Sequence, residues 1–314
     1  MGNGVETLTV VGVGGVGGLL SAPLIRRYGG AVSLVARGKR RESLMKNGLH
    51  LRSEMYGDFV ARPKTVAEQP NELPVQDAVL VCVKNNTLDD AARDIAPLVG
   101  PKTIVLPIMN GVTAGETLRR TLKGGIVLES VLYTVSSVES DFSVTQTGSF
   151  TYLFAGAISG GRRDQEAAVR ISGYLRDAGI DCRQTDRIRE AIWNKYVLNC
   201  AYNVVTARWG VDIGEVKADK GLMEDCRYLM QEARTVALAK GVELSDDLVE
   251  RNLKRIRNTD DHSSSSLSRD FAARRAGELE VFSGDVVRMA AEKHVSVPVT
   301  KVYYDALTEI ASKF

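Results

Sequence analysis

The stretch LTVVGVGGVGGLLSAPLIRRYGGAVSLVAR, residues 8–37, constrains the fold more than any other part of the chain. Residues 7–13 are largely β-branched and apolar, the composition of a strand buried on both faces. Gly12, Gly14 and Gly17 then spell G-x-G-x-x-G. A helical pattern runs from Val16 to Tyr28, Gly29-Gly30 stop it, and residues 31–37 return to an apolar strand. Six glycine-spaced residues alone mean little; strand, glycines, helix and strand in this order predict a βαβ unit that cradles a pyrophosphate. Gly12 permits the tight turn, Gly14 lets the backbone approach the phosphates, and Gly17 lets helix and strand pack closely. The N–H groups of the first helical turn, around Val16, are left to meet the anion.

The end of the second strand bears on the choice of dinucleotide. A carboxylate there would bind the ribose 2′-hydroxyl of NAD. This chain has ARGKRR instead, with Arg37, Lys39, Arg40 and Arg41. A dianionic 2′-phosphate wants cations and is repelled by acids, so NADP(H) is the expected cofactor and Arg37 its expected contact. Arg40 and Arg41 also read as a solvated basic start to the next helix.

More βα units follow. Residues 76–86 (QDAVLVCVKNN) form a strand leading to Lys84, residues 87–99 its helix, and residues 102–112 (KTIVLPIMNGV) a strand leading to Asn110 and Gly111. Ligands of open parallel sheets bind beyond the carboxyl ends of strands, which makes Lys84 and Asn110 candidate cofactor contacts. Residues 125–140 and 149–157 alternate like paired antiparallel strands, residues 162–179 form an amphipathic helix, and residues 181–185 a short last strand. After Asp186 strand signals stop, and helical patterns run over 187–208, 221–241, 246–257, 267–293 and 298–312. The expected fold is α/β: a Rossmann-like NADP-binding domain over 1–185, then an all-α domain over 186–314.

Within the first of those helices, AIWNKYVLNCAYNVV (residues 191–205) has eleven apolar residues in fifteen. Lys195, Asn199 and Asn203 lie four apart and share one face. A buried ammonium is costly unless paired or wet, and buried amides need partners. Such a stripe either lines a polar cleft or snorkels and bonds to neighbouring helices. The serine run at 263–266 reads as a loop with an N-cap for the helix that follows.

These motifs together resemble the ketopantoate reductase family over nearly the whole chain. The resemblance rests on VVGVGGVGG, Arg37, VCVK, IMNGV, WNKYVLNCAYNVVTA and GELEVFSGDVV. It implies NADPH-dependent reduction of ketopantoate to pantoate, on the route to pantothenate and coenzyme A, at a site between an N-terminal Rossmann-like domain and a helical one. It also implies Lys195 as the catalytic lysine that polarises the ketone and protonates the alkoxide, with Glu278 beside it. Asn110, Asn199, Asn203 and Ser266 would hold the substrate, the serine assignment depending on a count through a serine run. Three positions depart from the family pattern: GELE, with Glu280 where an acid of a TEID-like motif stands; Thr87 in place of a glutamine; and QTGSF in place of a histidine-glycine pair. The substrate therefore reads as ketopantoate or another branched 2-keto acid; a non-catalytic NADP(H) sensor is the reading from a different class.

Composition excludes other classes. Forty-one basic against thirty-nine acidic residues leave a net charge of +2, which argues for neither a nucleic-acid nor a membrane partner. Apolar runs near ten residues are too short to span a bilayer, and no basic n-region precedes one, so a cytoplasmic protein is expected. Four scattered cysteines and three scattered histidines offer no metal spacing. The long amphipathic C-terminal helices would serve equally for a homodimer or for the domain's own core.

Overall fold

The computed structural model describes residues 4–158 and 160–314. The chain divides into two compact units, Met1–Ile188 and Arg189–Phe314. As the hydrophobic patterns foretold, the first is built on a parallel sheet with flanking helices and the second is helical.

The strands of the first unit are β1 (Leu8–Val11), β2 (Val32–Val35), β3 (Leu49–Ser53), β4 (Gly57–Ala61), β5 (Thr65–Ala67), β6 (Gln76–Val81), β7 (Val99–Pro107), β8 (Ile126–Val127), β9 (Glu129–Val138), β10 (Val144–Gly156) and β11 (Asp181–Gln184). Its helices are α1 (Gly15–Tyr28), α2 (Gly38–Asn47), α3 (Leu88–Asp94), α4 (Ala114–Thr121) and α5 (Arg162–Asp177). Six strands form a parallel sheet in the order β5-β2-β1-β6-β7-β8. Counted along the chain within that sheet, this is the 3-2-1-4-5-6 order of dinucleotide-binding folds, and the order reverses between β1 and β6. Alternate strand residues serve opposite faces. Val10, Leu80 and Leu106 pack with Leu19 and Leu24 of α1, while Val11, Val81 and Val105 pack with Leu88, Ala92 and Leu118 of α3 and α4. Burial on both faces is what keeps a parallel sheet out of water, and each such side chain contributes about 1.5–3 kcal/mol.

The second sheet runs β11-β10-β3-β4, with β9 antiparallel to β10 as the alternation at 125–157 suggests. The β3–β4 hairpin carries no signal that distinguishes it beforehand, because its partner strand lies nearly a hundred residues away: β3 pairs parallel with β10 through Leu51 and Val144.

The second unit comprises α6 (Ile188–Trp209), α7 (Ile213–Ala218), α8 (Lys220–Ala239), α9 (Leu248–Asn258), α10 (Ser266–Ala272), α11 (Asp285–Glu292) and α12 (Pro298–Ala311). Two details differ from the periodic reading. A short helix, α7, occupies the gap before α8, started by an Asp212–Glu215 capping box. The single helix expected over 267–293 is broken. Arg274 and Gly277 take φ values of +53° and +56°, and Asp270 folds back to accept both Nε and Nη2 of Arg275 at 2.9 and 2.7 Å. A Cβ on Gly277 would lie 2.7 Å from the Asp270 carboxylate, so the turn requires glycine there. The chain resumes as a π-helical segment, Glu280–Gly284, before α11. Among the described residues no helix is long and apolar enough to cross a membrane, and no cluster of three or more His, Cys, Asp or Glu is placed to hold a metal. The four cysteines are free thiols, three of them buried.

Candidate functional site

The glycine turn leaves β1 at the point where the strand order reverses. Gly12 has φ +91°, and a Cβ on it would meet the Cys82 carbonyl oxygen at 2.8 Å, so β1 and β6 approach here by backbone. A Cβ on Gly17 would lie 1.9 Å from the Gly12 carbonyl oxygen, which is why helix and strand tolerate no side chain at this crossing. Gly14 is different: nothing lies within 4 Å of where its Cβ would be. It is the N-cap of α1, with no capping side chain, and the first turn holds no acid. Gly18 N–H donates to Gly14 O at 2.8 Å, and the N–H groups of Gly15, Val16 and Gly17 precede that bond at the positive end of the helix. Open space, uncapped donors and no negative side chain are what a pyrophosphate needs.

Arg37 sits immediately after β2 as the N-cap of α2. Its guanidinium is more than half exposed and donates to Asp94 Oδ2 at 2.8 Å and Gln69 Oε1 at 2.9 Å. Arg40 behaves otherwise than a solvated residue. It shares the inward face of α2 with Leu44, four residues on, and its Nε donates to the Val13 carbonyl at 2.9 Å while Nη1 donates to the Phe142 carbonyl. It braces the glycine turn from beneath, and burial lowers its pKa. Arg41 donates to the Val66 carbonyl at 3.3 Å. Sequence reasoning missed the brace, although the Arg40–Leu44 spacing was its available signal. Lys84 and Asn110 both lie just beyond the carboxyl ends of β6 and β7, and Asn85 Nδ2 joins those ends by donating to the Asn110 carbonyl at 2.9 Å. Lys84 is exposed and Asn110 partly buried.

In the second unit the stripe on α6 is real. Asn199 and Asn203 are buried, and Lys195 stays partly exposed. Protein atoms nevertheless crowd the Lys195 ammonium. Loss of hydration pushes its pKa down to about 8, and the Glu278 carboxylate, which favours the charged form, opposes that fall only in part. Asn203 Oδ1 accepts from Ser266 Oγ at 3.1 Å and from the Leu267 N–H at 3.3 Å. The serines of the run have different partners. Ser265 is the buried N-cap of α10, accepting from Ser268 N–H at 3.0 Å and from Thr206 Oγ1 at 2.7 Å, while Ser264 Oγ accepts from Arg269. Ser266, the serine that the family resemblance points to, is bonded to Asn203 of the stripe. Glu280 turns away from it: its carboxylate accepts from Arg288 at 2.6 Å and from the Tyr304 hydroxyl at 2.7 Å. Lys195, Asn199, Asn203, Ser266 and Glu278 thus belong to one unit, whereas Gly12, Gly14, Val16, Gly17, Arg37, Lys84 and Asn110 belong to the other.

Comparison with known proteins agrees along the chain. Residues 8–159 match the family model described as ketopantoate reductase PanE/ApbA, and residues 187–311 match its C-terminal counterpart. A curated 2-dehydropantoate 2-reductase of Mesorhizobium japonicum is 28% identical over 293 residues, covering 87% of this chain and 88% of its own. A crystal structure of a PanE/ApbA family ketopantoate reductase from Ralstonia eutropha is 28% identical with a TM-score of 0.88, covering 98% and 99% of the two chains. A D-mandelate dehydrogenase solved with NADH and anilino(oxo)acetate has the same TM-score at 18% identity, with 98% of each chain covered, and shares the fold. With a reversed-order parallel sheet, a glycine turn at its switch point and a helical second unit matched by both halves of one family, this chain is an oxidoreductase belonging to the ketopantoate reductase family.

Proposed function

We propose that this protein reduces ketopantoate to pantoate with NADPH, feeding pantothenate and coenzyme A synthesis, with Lys195 as the proton donor. The observation that carries the reading is the stripe of Lys195, Asn199 and Asn203 on α6, with Ser266 of α10 bonded to Asn203 and Glu278 facing the desolvated lysine. The nicotinamide supplies a hydride to the ketone carbon. The chain's own residues do the rest. Gly12, Gly14, Val16 and Gly17 hold the pyrophosphate by backbone, and Arg37 exchanges Asp94 for the 2′-phosphate. Lys84 and Asn110, at the ends of β6 and β7, contact the cofactor, and Asn110 also reaches the substrate.

A 2-keto acid brings a carboxylate and a carbonyl. Ser266 and the two asparagines can hold both without adding negative charge. The Lys195 ammonium stabilises the negative charge that develops on the carbonyl oxygen and then delivers a proton to it. With a pKa of about 8 it is mostly charged at neutral pH yet acidic enough to donate, as a general acid should be. The rate of keto-acid reduction should therefore fall as pH rises through about 8, and alcohol oxidation should rise across the same range.

The test is NADPH oxidation followed by absorbance against ketopantoate and a panel of branched 2-keto acids. Ketopantoate should have the highest kcat/KM. Preference for another keto acid would replace the substrate and keep the chemistry, and full activity in folded Lys195→Ala would remove the proton donor.

A further inference from the structure

Beside Lys195 stands a tyrosine whose hydroxyl has an unusual acceptor. Tyr196 is buried, its ring edge-on to Trp193 at 5.3 Å, and its hydroxyl donates to the Val281 carbonyl at 2.6 Å across 85 residues of chain. In an α-helix that carbonyl would receive the N–H of Asp285. Here the segment Glu280–Gly284 is π-helical, and Asp285 N–H goes to the Glu280 carbonyl instead. The slip of one residue takes that N–H away from the Val281 carbonyl, and Tyr196 binds it. The same slip is secured on the outer side, where Arg288 joins the Glu280 and Asp285 carboxylates and Tyr304 donates to Glu280. This accounts for the acid of GELE: Glu280 fastens the π segment.

The position of this bond matters because of its neighbours. Tyr196 directly follows Lys195, and Val281 lies one turn after Glu278. We infer that Tyr196 is a positioning residue: through Val281 it clamps the segment carrying Glu278 to the helix carrying Lys195, and so sets the separation of ammonium and carboxylate. The inference rests on the reading of Lys195 as the proton donor. Glu278 faces Lys195; Cys200, Asp285 and Arg288 face the Tyr196 hydroxyl, and Cys200 hydrogen-bonds it from the next turn of α6.

If the clamp holds Glu278 close, opening it weakens an interaction that favours charged Lys195, and the lysine becomes more acidic. A fall of about one pH unit would cut the protonated fraction at pH 8 from about a half to about a tenth, roughly fivefold in kcat. Cofactor affinity has no reason to change, since the glycine turn belongs to the other unit.

The experiment compares wild type, Tyr196→Phe, Glu278→Gln, their double variant and Ser283→Ala. Ser283 is a buried residue of the same π segment whose hydroxyl has no partner, so its loss leaves the clamp intact. The Lys195 titration midpoint is read directly on the ligand-free protein by competitive acetylation and mass spectrometry. The pH dependence of kcat and the KM for NADPH are measured alongside. Tyr196→Phe should lower the midpoint and move the basic limb of kcat to lower pH without altering the KM for NADPH. Ser283→Ala should do neither, and in Glu278→Gln the tyrosine change should add no further shift. An unmoved midpoint in folded Tyr196→Phe overturns the inference, as does an equal shift in Ser283→Ala. If Tyr196→Phe folds poorly, the same acetylation in a stabilising osmolyte reads the midpoint of the folded fraction. A depressed wild-type midpoint that Tyr196→Phe lowers further, with no matching limb in kcat, would leave the clamp standing and remove Lys195 from proton donation.

Discussion

Replacing Lys195 by methionine should abolish turnover and make the protein more stable. The ammonium is held at a pKa of about 8 against its ordinary 10.5, so folding discourages its protonation. The folded pKa lies below the unfolded one. The penalty is therefore fully present below about pH 8, shrinks as pH rises toward 10.5, and vanishes above it. Converted at about 1.4 kcal/mol per pH unit, it amounts to about 3 kcal/mol at pH 7 and about 1 kcal/mol at pH 9.5. Methionine keeps the apolar stem and removes the charge, so Lys195→Met should recover most of that difference. The chain's two tryptophans, Trp193 and Trp209, both lie in α6, so urea unfolding followed by tryptophan fluorescence reports on the unit concerned. The expected result is a higher urea midpoint for Lys195→Met at pH 7, with the gap narrowing by more than half at pH 9.5. A variant no more stable than wild type, or one whose advantage is the same at both pH values, would refute the claim that desolvation strains this lysine. Stability gained with activity lost is the usual mark of a residue kept for chemistry.

Other perturbations separate the remaining roles. Arg37→Ala should raise the KM for NADPH by roughly 10- to 100-fold, the worth of one charge-assisted pair, and leave that for NADH nearly unchanged; equal changes would take Arg37 out of 2′-phosphate recognition. Gly14→Ala should fold normally, because its Cβ enters open space, yet bind cofactor poorly in a fluorescence titration. Gly17→Ala should lower the melting temperature sharply, since its Cβ collides with the Gly12 carbonyl, and normal stability would argue against the close crossing of β1 and α1. Arg40→Met should weaken cofactor binding without touching any phosphate, through loss of the Val13 carbonyl contact; unchanged affinity in folded protein would make the brace irrelevant.

Most of the parallel sheet was legible because its signals are local. Apolar runs punctuated by glycine locate β1, α1 and β2 closely and find β6 and β7 with their expected spans, 76–86 and 102–112, overrunning the observed ends at Val81 and Pro107; the four-residue spacing of Lys195, Asn199 and Asn203 puts them on one stripe of α6, whose observed span departs by a residue at each end from the expected one. Ser266 was separable from its neighbours only by tertiary contact, since four consecutive serines look alike until one caps a helix and another reaches Asn203. The break in the helix expected over 267–293 was equally hidden. Apolar periodicity continues across it, while the turn at Arg274–Gly277 and the π slip depend on Asp270, Arg288 and Tyr196 arriving from elsewhere.

The sequence by itself therefore determined the glycine turn between β1 and α1, the basic residue after the second strand and the polar stripe, because each is written in residues within a few turns of one another. Tertiary structure alone decided that Arg40 supports the glycine turn instead of facing water, that Glu280 fastens a π segment, and that Tyr196 takes the carbonyl which the slip releases. Those outcomes depend on which distant backbone groups lack a local partner, and no periodicity of side chains records where an unpaired carbonyl will fall.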